Sequence, residues 1–153
     1  MERYSYREFA ELVIRVGVTD GYITSLGRVG ESGQDDPTQL SERAFSELSE
    51  YFAGKRKEFD LPLALSGTPF QKKVWKALAD IPYGEARSYR DIANAVGSPK
   101  AFRAVGGANH VNPICILIPC HRVVNSDGGL GGYGGGLDMK KILLELERKN
   151  KNV

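Results

Sequence analysis

The chain has 153 residues, 41% hydrophobic and 26% charged, with a net charge of +2, which suits a folded protein with a real core. Its longest apolar stretches, ICILI and LPLAL, are far too short to span a bilayer, its N-terminus is charged throughout, and two cysteines, Cys115 and Cys120, give neither a disulfide framework nor a zinc cluster. No membrane anchor, secretory signal or metal is expected, and both thiols are expected to be reduced, as in cytoplasm. The small net charge hides an asymmetry: residues 1–65 carry 8 basic and 12 acidic side chains (−4), residues 66–153 carry 13 and 7 (+6). Only the second part has an electrostatic reason to meet a polyanion.

In chain order, residues 11–27 are β-branched runs on either side of Asp20-Gly21, a dipeptide that tolerates the positive φ of a tight hairpin. After the polar loop ESGQDDP, Leu40, Ala44, Phe45, Leu48, Tyr51 and Phe52 recur at helical spacing until Gly54 ends the pattern. This part predicts a small sheet with one helix and carries no recognisable chemistry.

The composition changes at LSGTPF. Thr68 is a helix cap with Pro69 in first position and Gln71 reaching back, and Phe70, Val74, Trp75 and Leu78 form the buried stripe. A second domain is therefore expected from about residue 66, dividing the chain into 1–65 and 66–153.

Ser88 and Asp91 form a capping box for YRDIANAV, Gly97 terminates that helix, and Ser98-Pro99 is expected to start the next, KAFRAVGGA, at once. Helix, short turn, helix is the helix-turn-helix pattern, whose second helix enters a DNA groove, although any two small packed helices give the same signature. The content of the second helix favours DNA: Lys100 and Arg103 supply cations, while Ala101, Ala104, Gly106, Gly107 and Ala108 keep its body slim. Gly106 and Gly107 each cost roughly 1 kcal/mol against alanine in a helix, which points to a packing or contact reason.

NPICILIPCHRVV reads as a turn at Asn112-Pro113 followed by a buried strand that Pro119 ends, with Cys120 at its exit. Cys115, between two isoleucines, reads as a small buried hydrophobe. A thiol of pKa about 8.5 is only about 3% ionised at pH 7, and lowering it to about 7 raises the thiolate roughly fifteen-fold for about 2 kcal/mol. His121 and Arg122 are adequate activators of Cys120 if the backbone turns, since adjacent side chains of a straight strand face opposite ways. In SDGGLGGYGGGL, Gly129, Gly131 and Gly134 satisfy G-x-G-x-x-G, but the acidic residue and βαβ context of a dinucleotide site are missing. Either a loop passing close to a flat ligand, with Tyr133 as part of its wall, or a plain surface loop fits better. The last helix, 137–149, is expected to bury Leu137, Ile142, Leu143 and Leu146, with Glu145 and Glu147 on a solvated face.

From Thr68 to Glu147, about half the chain, the sequence resembles the O6-alkylguanine-DNA alkyltransferase family, through RAVGGAN, NP, ILIPCHRVV, GGYGGGL and LLELE in order and spacing, with PCHRV as the active-site signature. The resemblance implies an α/β (α+β) fold: a ribonuclease H-like N-terminal domain of small β-sheet plus helix, and a mostly helical C-terminal domain with a helix-turn-helix. It implies irreversible, single-turnover transfer of an alkyl group from guanine O6, or thymine O4, in double-stranded DNA to Cys120, without a cofactor. His121 would draw off the thiol proton through a water, Glu147 would fix the tautomer of His121, Asn112 would brace the turn, and Tyr89 would help rotate the nucleotide and protonate the leaving guanine. Arg103 would be the finger entering the base stack, with Lys100, Ser88, Ala104, Gly106 and Gly107 at the minor groove. Tyr133, Gly134, Gly135, Pro119 and Val123 would line the guanine pocket. A cytoplasmic monomer, nucleoid-associated when bound to DNA, is implied.

Three departures stand out: Phe102 beside the finger where many relatives have a small residue, Gly134 where relatives often have Ser or Ala, and no N-terminal cysteines for zinc. The competing readings are a non-repairing alkylguanine-recognition protein, whose relatives lack the cysteine, and a cysteine hydrolase acting on an acyl substrate.

Overall fold

The computed structural model describes residues 1–153 and divides into two compact units, Met1–Leu65 and Ser66–Val153. None of its helices is long and apolar enough to cross a membrane.

In the first unit, strands β1 (Arg3–Phe9), β2 (Leu12–Thr19) and β3 (Tyr22–Val29) form an antiparallel sheet in that order. Alternation places Leu12, Ile14, Val16 and Val18 of the central strand in the core. Asp20 (φ 51°) and Gly21 (φ 81°) make the two-residue turn between β2 and β3, the hairpin that the dipeptide predicts. Strand β1 has no clear sequence signal: its RYSYREF buries only Ser5, and its turn is the non-glycine pair Ala10-Glu11, both at positive φ. Helix α1 (Gln39–Phe52) starts at a Thr38–Ser41 capping box, buries Ala44, Phe45, Leu48 and Tyr51, and ends at Gly54 (φ 76°).

In the second unit, α2 (Pro69–Ala79) opens on the Thr68–Gln71 capping box and buries Val74, Trp75 and Leu78, with Phe70 only half-buried. Helix α3 (Tyr89–Ala95) opens on the Ser88–Asp91 box and stops before Gly97 (φ 77°). Helix α4 (Phe102–His110) begins later than expected. Ser98 closes a turn through its carbonyl, which accepts from Ala101 N (2.8 Å), so Ser98-Pro99 belong to the connection and Ala101 starts the helix without a side-chain cap. The Trp75 indole donates to Ala108 O (2.9 Å) and ties α4 to α2.

The expected strand through ICILI does not form. Ile114, Ile116 and Ile118 are buried, as alternation requires, but Ile116 has φ 71° and the backbone bonds to itself: Leu117 N to Cys115 O (2.8 Å), Ile118 N to Ile114 O (3.1 Å). The Asn112 side chain supplies what a neighbouring strand would have, donating to Ile118 O (2.8 Å) and accepting from Ile114 N (3.0 Å). Beyond it, β4 (Arg87–Ser88) pairs in parallel with β5 (Val123–Val124). Helix α5 (Leu137–Asn150) follows Gly136 (φ 97°) and buries Met139, Lys140, Leu143 and Glu147, whereas Leu137, expected inside, is 48% exposed.

Candidate active site

Cys120 opens a single 3-10 turn, Cys120–Arg122, instead of leaving a strand. That turn settles the geometry adjacency left open: Cys120, His121 and Arg122 are all buried together, and Asn109 of α4 donates to Cys120 O (3.4 Å). Cys120 is only 2% exposed. The broad groove lined by Lys73, Asp80, Arg87, Asp91 and Gly97 touches none of these three residues.

Behind the turn stands Glu147. Its Oε2 lies 2.6 Å from His121 Nε2, and Arg122 donates to both of its oxygens (2.8 and 3.0 Å) and to Ile81 O (2.7 Å). Glu147 therefore does not sit on a solvated face: it is 1% exposed, and burial, which opposes ionisation, is outweighed by His121 and Arg122, so that its carboxyl is held far below the ordinary carboxylate range. Arg122 turns out to be a partner of this carboxylate rather than an activator of the thiol. Burial pushes the His121 pKa down, with Glu147 pulling the other way. A carboxylate only accepts, so Nε2 carries the proton of the neutral ring, and Nδ1, buried and without a hydrogen-bond partner, is its basic nitrogen.

On its other side the thiol meets Cys115. The hydrogen bond from the Cys115 side chain is the largest influence holding the Cys120 thiol below its ordinary pKa; burial opposes it, and Asn112, Tyr133 and the charge of Lys140 add to the lowering. Cys115 is half-buried rather than a sealed core residue. Lys140, one of the charged residues of the last helix, is wholly buried and donates to Val123 O (2.6 Å), Leu130 O and Gly132 O (3.2 Å). Burial lowers its pKa to about 8, with Cys120 acting in the opposite direction. Its spacing from Met139 and Leu143 was the available signal.

The glycine segment is thereby tied down over the thiol. Tyr133 is 9% exposed and close enough to Cys120 to help lower its pKa, and a Cβ on Gly135 would sit 2.9 Å from its ring. Gly131 (φ 73°) leaves room for the Tyr89 hydroxyl, which a Cβ would approach to 3.0 Å, and Tyr89 is close enough to Cys120 for the thiolate charge, after burial, to raise its pKa. A Cβ on Gly134 would meet His110 O at 3.2 Å. Pro119 and Val123 are buried at either end of the turn. Cys120, His121, Glu147, Asn112, Tyr89, Tyr133, Pro119 and Val123 thus gather in one region. Lys100, Phe102, Arg103, Ala104 and Gly107 instead form an exposed face at the start of α4, with Ser88 and Gly106 half-buried, and the Arg90 guanidinium lies 5.0 Å from the Phe102 ring centroid. No three His, Cys, Asp or Glu side chains converge as metal ligands.

A cysteine whose pKa its neighbours lower, backed by an imidazole that a buried carboxylate orients, is the arrangement of a covalent nucleophile, carried here on a unit built around a helix-turn-helix. Residues 69–149 match the family described as 6-O-methylguanine DNA methyltransferase, DNA binding domain, and residues 8–65 its ribonuclease-like domain. A methylated-DNA–protein-cysteine methyltransferase of Methanosarcina barkeri is 60% identical over 107 residues, 70% of this chain and 68% of that protein. One from Mycolicibacterium paratuberculosis is 50% identical over 137 residues, 86% of this chain and 83% of that one. The crystal structure of Mycobacterium tuberculosis OGT in complex with DNA superposes with a TM-score of 0.89 at 44% identity, covering 96% of this chain and 93% of that one. The chain belongs to the 6-O-methylguanine DNA methyltransferase family.

Proposed function

We propose that this protein repairs double-stranded DNA by moving the alkyl group of O6-alkylguanine, and of O4-alkylthymine, onto Cys120, once per molecule and without a cofactor. The observation that carries the reading is the pairing of a pKa-lowered Cys120 with a His121 whose Nε2 is fixed by Glu147 and whose Nδ1 is free of partners. His121 Nδ1 takes the thiol proton through a water. The sulfur attacks the alkyl carbon, a C–S bond forms as the C–O bond breaks, and the electron pair leaves on guanine O6 while Tyr89 protonates the purine. Water does not cleave a thioether, so the protein is consumed.

A thiol 2% exposed cannot reach a base inside a duplex, so the nucleotide must be turned out of the stack, at a cost of a few kcal/mol. The exposed face of α4 serves that step. Arg103 enters the stack in place of the base, Lys100 meets phosphate, and Ser88, Ala104, Gly106 and Gly107 follow the minor groove. Packing within the unit gives no reason for the two glycines: a Cβ on Gly107 meets nothing within 4 Å and one on Gly106 only the Tyr89 ring at 3.9 Å. Close approach of another molecule is the reason that remains. Tyr133, Gly134, Gly135, Pro119 and Val123 wall the guanine pocket. Residues 66–153 are the DNA-binding and alkyl-acceptor domain and residues 1–65 a structural one, in a monomer that works in the cytoplasm, at the nucleoid when bound.

The test is an intact-mass measurement after incubation with a methylated-guanine duplex. One added methyl, mapped to Cys120, is expected, and Cys120→Ala should take up none while keeping its affinity for the duplex. Unchanged wild-type mass would sink the proposal, and repeated turnover on an acyl ester would point to a hydrolase.

A further inference from the structure

The transfer step leaves one reactive group beside the acceptor without a task. Cys115 and Cys120 are the only cysteines of the chain, and both are free thiols. Five residues apart in a strand, they would stand about 17 Å apart on opposite faces. The doubled-back turn brings them together instead. Ile116 at φ 71° reverses the chain, Cys120 N donates to Ile118 O (2.7 Å), Asn112 pins both ends, and the two thiols come close enough for each to shift the other's pKa. Cys115 Sγ is 3.9 Å from Asn112 O and half-buried, whereas Cys120 is 2% exposed. The less buried thiol neighbours the more buried one.

We propose that Cys115 is a resolving thiol, which converts hydroperoxide damage at Cys120 into a reversible Cys115–Cys120 disulfide. The Cys120 thiolate attacks the peroxide: an S–O bond forms, the O–O bond breaks, and the departing oxygen leaves with the electron pair and takes a proton. Cys120 is then a sulfenic acid. Cys115 gives up its proton and attacks that sulfur; the S–S bond forms, the S–O bond breaks, and hydroxide leaves with the proton as water. Two electrons pass from the thiol pair to the peroxide, and a dithiol restores both thiols. The proximity that raises the Cys115 pKa favours this order, because the Cys120 charge that keeps Cys115 protonated disappears once Cys120 is oxidised. Without a resolving partner a sulfenic acid advances to sulfinic acid, which is irreversible. For an acceptor used once, that loss is total, and the disulfide is a protected form that reduction returns to service. The inference concerns the thiol pair and rests on the alkyl-acceptor reading only for this consequence.

The full-length protein is treated with a several-fold molar excess of hydrogen peroxide and followed by intact mass and free-thiol titration. Wild type is expected to lose two hydrogens and both titratable thiols, with the link inside the tryptic peptide spanning residues 104–122, and to regain both with dithiothreitol. Cys115→Ser is expected to gain oxygen at Cys120 and to recover a fraction of its own untreated thiol on the order of tenfold smaller. Oxygen gain without hydrogen loss in the wild type, a link between two molecules, or equal recovery in both proteins overturns the proposal. Should the variant not fold, the wild-type mass and peptide map still decide it. A disulfide that forms in a protein unable to accept a methyl group would sink the repair reading alone.

Discussion

Glu147 holds the site together at the level of single residues. Its carboxylate accepts from an imidazole and from the Nε and Nη2 of a guanidinium while 1% exposed, so its loss strands a charged Arg122 in the interior. Glu147→Gln should therefore destabilise the fold by about 3–5 kcal/mol, the range for breaking a buried ion pair, read from urea denaturation. The pH dependence has a definite sign. Glu147 has a folded pKa far below its unfolded one, so its contribution is complete above roughly pH 5 and is lost as pH falls through the unfolded value of about 4.3 toward the folded one. The wild type should lose stability steeply on acidification, and Glu147→Gln should show a shallower slope over the same range; parallel curves would contradict the role. In the sequence this residue is visible only through the family resemblance, because a glutamate among lysines on an amphipathic helix has no local mark of burial. Lys140 lies outside the matching motifs, and its spacing three residues before Leu143 is the one local mark of its burial.

The elements divide by how local their causes are. Both capping boxes of the second unit, the Asp20-Gly21 hairpin and the terminators Gly54 and Gly97 were legible because each is fixed within a few residues of itself. The segment 112–120 was not. Its apolar alternation is real, but what stops it from becoming a strand is an Asn112 side chain occupying the backbone groups of Ile114 and Ile118, a choice that alternation does not encode. The start of α4 was misplaced because Ser98 bonds through its backbone rather than its side chain. Helix α4 also separates stability from function. Gly107 is helical, exposed and unobstructed, so Gly107→Ala should raise stability by about 1 kcal/mol while weakening duplex binding. Thermal melting and a DNA titration check the two halves; a variant that gains stability with unchanged affinity would remove the contact reason for that glycine.

Taken whole, the chain puts its positive charge and its chemistry in the same place. Residues 66–153 carry +6 and all the site residues, residues 1–65 carry −4, and composition alone made that division visible. What composition could not show is that one of those positive charges faces inward. Lys140 lies beneath the glycine segment, its pKa brought down to about 8 by burial while the thiolate form of Cys120 pulls it up. A methylated sulfur is neutral for good. The buried ammonium then loses a counter-charge, its pKa falls further below that of the unfolded chain, and at neutral pH the imbalance works against the native state. The used molecule should consequently melt at a lower temperature than the fresh one, with the gap narrowed in Lys140→Met, and equal melting of both forms would dismiss the idea. Exhaustion would thus be written into the protein as fragility, a record of past service readable without touching the alkyl group itself.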